Sequence, residues 1–259
     1  MSLPNTEFPA AEIIVDPNPS SGAFNMAMDA ALLALGANRK TTVVRIYEWS
    51  EPTVTLGYFQ GATTTVSPFP DLPCVKRLSG GGAILHDREL TYSFAAPSSH
   101  PVRQSPSDFY ERVHRRVIEL LGRCGLSCSL RSERPAANAM ILATTPTGSV
   151  QEPFLCFLRS NPNDIVDTSG IKVVGSAQRR RRGVTLQHGS ILLSASAITP
   201  SIPGIAELAA SFDESLFRAE LPEAIAGSLA CDWQFRTYTS EEHALCRQML
   251  ESDSLQEIP

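Results

Sequence analysis

Three consecutive glycines, Gly80, Gly81 and Gly82, stand inside the run Lys76-Arg77-Leu78-Ser79-Gly80-Gly81-Gly82-Ala83-Ile84-Leu85-His86-Asp87. Lacking Cβ atoms, such a run turns through left-handed backbone and lets the main chain approach a neighbour closely, so it belongs in neither a helix nor a strand interior. Its N–H groups can converge on an anion or a developing oxyanion, and Arg77 adds a permanent charge on a planar donor fork. It is neither a G-x-G-x-x-G fingerprint nor a Walker loop, since no Gly-Lys-Ser/Thr follows. Taken alone, the glycines also read as a flexible hairpin tip. His86 and Asp87, directly after them, argue for more than a turn.

Around this loop the hydrophobic period alternates between helix and strand. Apolar residues at Phe24, Met28, Ala31, Leu32 and Leu35 predict a helix over 25–35, with Gly36 placed to end it. Residues 42–49 alternate Val44 and Ile46 against Arg45 and Tyr47, as a strand does, and 53–56 resume a strand after the Glu51-Pro52 turn. A second helix is expected from about 108 to 123, with Asp108 and Glu111 as a capping-box-like start. Residues 133–153 hold Pro, Gly and small side chains without a period, and read as a loop. Short strands are expected at 165–166, 172–175, 183–187 and 190–193, then helical pieces from Ile202 broken at Pro203 and Pro222. The expected class is α+β: a mixed, largely antiparallel sheet with flanking helices, in one domain over 1–259.

Composition removes several function classes. The formal net charge is −5, with 22 Lys and Arg against 27 Asp and Glu, so no global basic field draws the chain to nucleic acid or anionic lipid. No stretch approaches the ~18 consecutive apolar residues of a membrane span, and the first residues lack the pattern of a secretory signal. Six cysteines are scattered over 259 residues without a disulfide framework or a zinc-site spacing, so a reduced, cytoplasmic protein with no metal is expected.

Three further segments carry chemistry. In Gly170-Ile171-Lys172-Val173-Val174-Gly175-Ser176-Ala177-Gln178, Lys172 sits in an apolar strand-like run followed by small residues. A lysine there either lies on a strand's wet face or, partly desolvated, polarises a carbonyl. Arg179 to Arg182 form a solvated hairpin tip suited to steering an acidic partner, with no interleaved aromatic residue to suggest nucleic acid. Cys156, between Leu155 and Phe157, reads alone either as core or as a nucleophile for thioester exchange.

In order and separation these segments resemble the biotin/lipoate protein-ligase superfamily, in its lipoate–protein ligase A and octanoyltransferase branch. The resemblance starts at Phe24-Asn25-Met26-Ala27-Met28-Asp29 and at the run 45–57. It continues through the Arg77–Asp87 loop and Leu90-Thr91-Tyr92-Ser93, and ends with 172–176 and 186–193. It implies an α+β domain holding an acyl chain in a narrow apolar tunnel beneath the glycine loop. Arg77, Ser79, Gly80, Gly81, Gly82, Ala83 and His86 fall on ligand-binding positions of that loop. Lys172 matches the lysine that binds the reacting carbonyl, with Gly175, Ser176 and Ala177 in register, and His188-Gly189 matches a second segment lining the site.

Within that family the resemblance is closest to the cysteine-dependent octanoyltransferases, whose nucleophile lies in a Cys-Phe context a short way before the motif lysine, as Cys156 does here. No separate C-terminal accessory domain is expected. The implied reaction moves octanoyl from acyl carrier protein to Cys156, then to a lysine of a lipoyl-domain or glycine-cleavage H-type protein, with Lys172 stabilising the oxyanion and His86, His188 or a neighbouring water assisting the proton transfer. No cofactor is needed. The alternatives are a lipoate ligase using ATP and Mg²⁺ with free octanoate or lipoate, an amidotransferase between modified proteins, and a non-catalytic acyl-binding protein. The stretch 133–153 has no clear counterpart in the family and stands where it would either displace or gate the loop bearing Cys156.

Overall fold

A computed structural model of the chain describes residues 10–60, 67–101, 106–134, 143–144, 150–151 and 153–251. Eighteen elements follow in the order β1 (Ala11–Val15), α1 (Gly22–Leu35), β2 (Thr42–Tyr47), β3 (Thr53–Leu56), β4 (Cys74–Lys76), β5 (Ile84–His86), β6 (Glu89–Ala96), α2 (Pro106–Arg123), β7 (Cys128–Leu130), β8 (Ala143–Thr144), β9 (Val150–Gln151), β10 (Ile165–Asp167), β11 (Lys172–Arg181), β12 (Val184–Leu192), α3 (Ile205–Leu208), α4 (Glu214–Leu229), β13 (Trp233–Phe235) and α5 (Ser240–Glu251).

Eight strands pair in the order β13-β1-β2-β6-β12-β11-β10-β7. Only β1 runs parallel to its neighbours β13 and β2; the remaining pairs are antiparallel. This is the mixed, largely antiparallel α+β sheet expected. Side chains that alternate along each strand split the core into two layers. Ile13, Val44 and Phe94 face α2 and α4, meeting Phe109, Val113, Phe217 and Leu221. Ile14, Val43 and Ala95 face α1, meeting Met28 and Leu32, with Cys246 of α5 behind. A smaller sheet, β4-β3-β5, stands beside the large one, and the glycine run connects β4 to β5.

Several expectations are corrected. Helix α1 starts at Gly22, not 25, because Ser21 caps it by accepting from the Phe24 N–H. Gly36 ends the helix as expected, in right-handed backbone (φ −56°), and opens a short 3₁₀ turn. Its missing side chain matters for packing, since a Cβ there would meet Val184 Cγ1 at 2.7 Å. Helix α2 begins at Pro106, so Asp108 lies in its first turn and is not its cap. Pro222 does not break the tail but sits inside α4. Phe217, Leu221, Ile225 and Leu229 bury one face of that helix, which offsets the lost hydrogen bond. The short strands expected at 172–175, 183–187 and 190–193 are one hairpin of two long strands, β11 and β12. Its tip is Arg182-Gly183, both in left-handed backbone (φ 50° and 81°), which suits the twist of a two-residue hairpin. Of the loop expected at 133–153, residues 143–144 and 150–151 pair as β8 and β9; the stretches 135–142 and 145–149 and residue 152 lie outside the described residues. No helix among the described residues is long and apolar enough to cross a membrane.

Candidate active site

The glycine run folds as it does because a buried arginine holds it from within. Arg77 donates from Nη2 to the carbonyls of Gly80 (2.8 Å) and Gly82 (2.6 Å), and from Nη1 to the carbonyl (3.1 Å) and Oγ1 (3.2 Å) of Thr55. Burial pulls the Arg77 guanidinium below its ordinary pKa. Gly81 has φ +97°, and its carbonyl passes so close to Gly57 that a Cβ there would lie 2.1 Å away. With the loop carbonyls turned to Arg77, the N–H groups of Gly80, Gly81 and Gly82 have no partner among the described residues, and all three glycines line a cavity of about 360 Å³. That volume is in the range of small-molecule sites, ~300–1,000 Å³.

The far side of this cavity holds the second motif. Ala83 bonds the segment before the short 3₁₀ turn 156–158: its N–H donates to the Phe154 carbonyl (3.0 Å), and its carbonyl accepts from the Cys156 N–H (2.7 Å). Cys156 is thereby fixed beside the glycine loop, half-buried and lining the cavity. Across from it Lys172, the first residue of β11, is buried with its ammonium 3.8 Å from Cys156 Sγ and 3.2 Å from the Cys156 carbonyl. The same ammonium pairs with Asp164 Oδ1 at 2.9 Å. Burial pushes the Asp164 carboxyl up, while the Lys172 charge and the Asn161 N–H hold it down. Gly175 makes room for this lysine; a Cβ there would lie 2.6 Å from Lys172 Cε and 2.9 Å from Nζ.

Ser176 continues the wall and is held by a chain of hydrogen bonds whose direction is fixed at one end. His114 Nδ1 lies 2.6 Å from the Asn163 carbonyl, so that nitrogen carries the proton. Burial lowers the His114 pKa to about 4 and keeps the ring neutral. Its bare Nε2 therefore accepts from Ser176 Oγ (2.7 Å), and Ser176 in turn accepts from the Tyr92 hydroxyl (2.7 Å). Gln187 donates to Tyr92 (3.1 Å) and accepts from Gln178 (2.8 Å). Gly189 is opposite: a Cβ would lie 2.4 Å from the Tyr92 ring and 2.5 Å from Ser176 Oγ.

The apolar end of the cavity is formed by Met26, Tyr47, Trp49 and Ile84. Trp49 stacks on His86 with ring centroids 3.8 Å apart and donates to Thr91 Oγ1 (2.9 Å). His86 Nδ1 donates to Glu89 Oε1 (2.7 Å), and its Nε2 lies 2.8 Å from Thr55 Oγ1. Burial lowers the pKa of His86. His188 is 2.5 Å from Ser79 Oγ through Nε2 and 3.4 Å from Asp29 Oδ2 through Nδ1. Both histidines thus spend both ring nitrogens inside the protein wall, which leaves neither one a free nitrogen for the proton relay expected of them.

Of the residues singled out in the sequence, Cys156, Lys172, Arg77, Gly80, Gly81, Gly82, His86, Gly175, Ser176, Ala177 and His188 line this one cavity. Ser79, Ala83 and Gly189 do not; they pack behind the wall and fix, in turn, His188, Cys156 and Tyr92. Asp164, His114, Tyr92 and Arg159 are the additions. Asp164 lies in an Asn161-Pro162-Asn163-Asp164 segment whose composition signals a turn but no site, and the antiparallel register Val166 to Lys172 brings it to the ammonium. Arg159 donates to the Pro153 carbonyl (2.6 Å) and lies over Gly82, where a Cβ would meet its Nε at 2.5 Å.

The lipoyl protein ligase A/B catalytic-domain family matches residues 21–214. The octanoyltransferase LipM of Kyrpidia tusciae is 37% identical over 180 residues, 67% of this chain and 62% of that protein. That of Bacillus subtilis is 35% identical over 185 residues, 69% of this chain and 64% of that protein. The chain thus spans a little under two thirds of the length of these relatives. Among solved structures, the putative lipoate protein ligase Ta0514 of T. acidophilum with bound lipoic acid superposes with a TM-score of 0.70 at 18% identity, covering 95% of this chain and 99% of that one. A lipoate-protein ligase A bound with ATP gives 0.67 at 18% identity, covering 94% and 95%. These two likenesses show the fold.

Proposed function

Because the chain belongs to the lipoyl protein ligase A/B catalytic-domain family, we propose that it is an octanoyltransferase of lipoate biosynthesis that works through a thioester on Cys156. The observation that carries this reading is the approach of the Lys172 ammonium to within 3.8 Å of the Cys156 thiol in one cavity. The names of the LipM relatives support octanoyl as the group transferred. The donor is octanoyl-acyl carrier protein, and the acceptor is a lysine of a lipoyl-domain or glycine-cleavage H-type protein. A reaction run on a free thiol fits the cytoplasm.

The acyl chain lies along Met26, Tyr47, Trp49 and Ile84, where each buried methylene contributes about 0.8 kcal/mol, so chain length is selected only modestly. Cys156 sulfur adds to the thioester carbonyl. The resulting oxyanion meets Lys172 and the unpartnered N–H groups of the glycine loop, donors worth ~3 kcal/mol each in acyl transfer. Collapse breaks the bond to the carrier sulfur, which leaves as a thiol with the proton that Cys156 gave up. In the second half the acceptor's neutral amine adds to the new thioester, Cys156 leaves, and the amine's proton returns to its sulfur. Asp164 keeps Lys172 aimed at the sulfur through both halves. Neither step calls on ATP or a metal.

Intact-protein mass after incubation with octanoyl-acyl carrier protein, without ATP, tests this. The wild type gains one hydroxylamine-labile octanoyl group that chases onto an apo lipoyl domain, and Cys156→Ser does not. An absent adduct, together with acceptor labelling by free octanoate once ATP and Mg²⁺ are added, makes the chain a ligase.

A further inference from the structure

The hairpin β11–β12 runs outward from the cavity wall at Ser176, Ala177 and Gln178 directly into Arg179, Arg180, Arg181 and Arg182. On a chain of net charge −5 this is a concentrated island of positive charge. Elsewhere Arg115, Arg218 and Arg236 each meet two carboxylates. Among the described residues, none of the four hairpin arginines makes an ion pair. Arg180 and Arg182 are exposed. Arg179 lies over the Tyr58 ring, 4.3 Å from its centroid, and the Lys76 ammonium is 5.4 Å from the same centroid. Phe59 meets Tyr58 edge-on, is 85% exposed, and stands against Gly80 of the glycine loop.

An exposed aromatic side chain framed by arginines has the make-up of a protein-docking surface. Cations crowded together without carboxylates repel one another, and an acidic partner relieves that repulsion and is steered by it. We propose that this rim, formed by Phe59, Lys76 and Arg179 to Arg182, docks the acidic face of the carrier domain that presents the acyl thioester. The inference rests on the transfer reading above. Cys156 lines the cavity, so a carrier-borne thioester that enters there meets it, and the cavity wall continues into this rim.

The test is the second-order rate of Cys156 acylation, read by intact mass, for the wild type and the double variant Arg180→Glu/Arg182→Glu. Two donors are compared: octanoyl-acyl carrier protein and the small uncharged octanoyl thioester of N-acetylcysteamine. Both arginines are exposed and outside the cavity. The expected result is a loss of about ten-fold or more with the carrier donor, a flatter salt dependence, and a change below about two-fold with the small thioester. An equal effect on both donors, or on neither, overturns the docking surface. So does wild-type binding of a short oligonucleotide that the variant loses while its carrier acylation is unchanged, which assigns the rim to nucleic acid. A wild type that takes an acyl group from neither donor sinks the transfer reading itself, and the docking surface with it.

Discussion

Gly175 carries no functional group, yet it decides where the Lys172 ammonium rests. A methyl group at that position lies within 3 Å of both Cε and Nζ, and the far end of a flexible side chain yields before a strand does. Gly175→Ala is therefore expected to leave thermal stability within a few degrees of wild type while moving the ammonium off Asp164 and Cys156. Acyl transfer falls by about 100-fold, the loss seen when one oxyanion donor is removed. Single-turnover acylation alongside a melting curve checks this; wild-type rates in the variant would show that the lysine's present position is immaterial. Cys156 and Lys172 were each legible as candidates. Asp164 was not, because nothing in its spacing ties it to either.

A neutral imidazole of helix α2 is bonded into the active-site wall. His114 receives the Ser176 hydroxyl on one side and donates to the Asn163 carbonyl on the other, so it holds together α2, the turn before β10, and β11. The unfolded chain takes up a proton on this histidine near pH 6.5, whereas the folded protein holds it off until about pH 4. Between those values the unfolded state binds more protons, so stability falls as the pH drops through the window, by roughly 3 kcal/mol in total. Denaturant melts at pH 7 and pH 4.5 are expected to show a smaller loss across the window for His114→Gln than for the wild type; identical losses would count against a depressed imidazole. The hairpin β11–β12 makes a second point at this scale. Gly175 was read as a strand end and Gly189 as part of a turn between strands, yet both continue their strands and yield space to Lys172 and to Tyr92, since a glycine that ends an element and one that admits a side chain look alike in sequence.

Across the whole molecule, the first and last thirds of the chain are tied by buried charge. Glu242 of α5 receives Arg236 at 2.7 and 2.8 Å and Arg39 at 2.7 Å, and Arg236 also reaches Glu12 of β1. Beside it Arg45, fully buried, meets Asp16, Asp29, Asn25 and the Tyr238 hydroxyl. Burial opposes the charge on Glu242, but its two arginines hold the carboxyl at about 2 against an ordinary 4.5. Its contribution is thus complete above pH 4.5 and is lost as the pH falls towards 2. Glu242→Gln leaves two cations facing a neutral amide and is expected to cost about 2–3 kcal/mol at pH 7. A lower urea midpoint with an unchanged slope would show it; an unchanged midpoint would mean that α5 docks through its apolar face alone.

The α+β class, the first two helices, strands β2 and β3, and the candidacy of the glycine loop, Lys172 and Cys156 were all readable along the chain, since periodicity and turn chemistry are local properties. Pairing decided the rest. Strand β13 joins the sheet only by pairing with β1, more than two hundred positions away in the chain, and α4 keeps Pro222 because of what it packs against. The loop arginine was read as a ligand contact; it lines the cavity, but that its Nη2 also donates to the Gly80 and Gly82 carbonyls could be seen only in the folded loop. His86 and His188, read as cavity residues and offered beside a water as proton carriers, line the cavity with both nitrogens committed to the wall. A residue's type is written in the chain, but the partner that fixes its hydrogen bonds, its charge and its aim is supplied only when distant segments close around it.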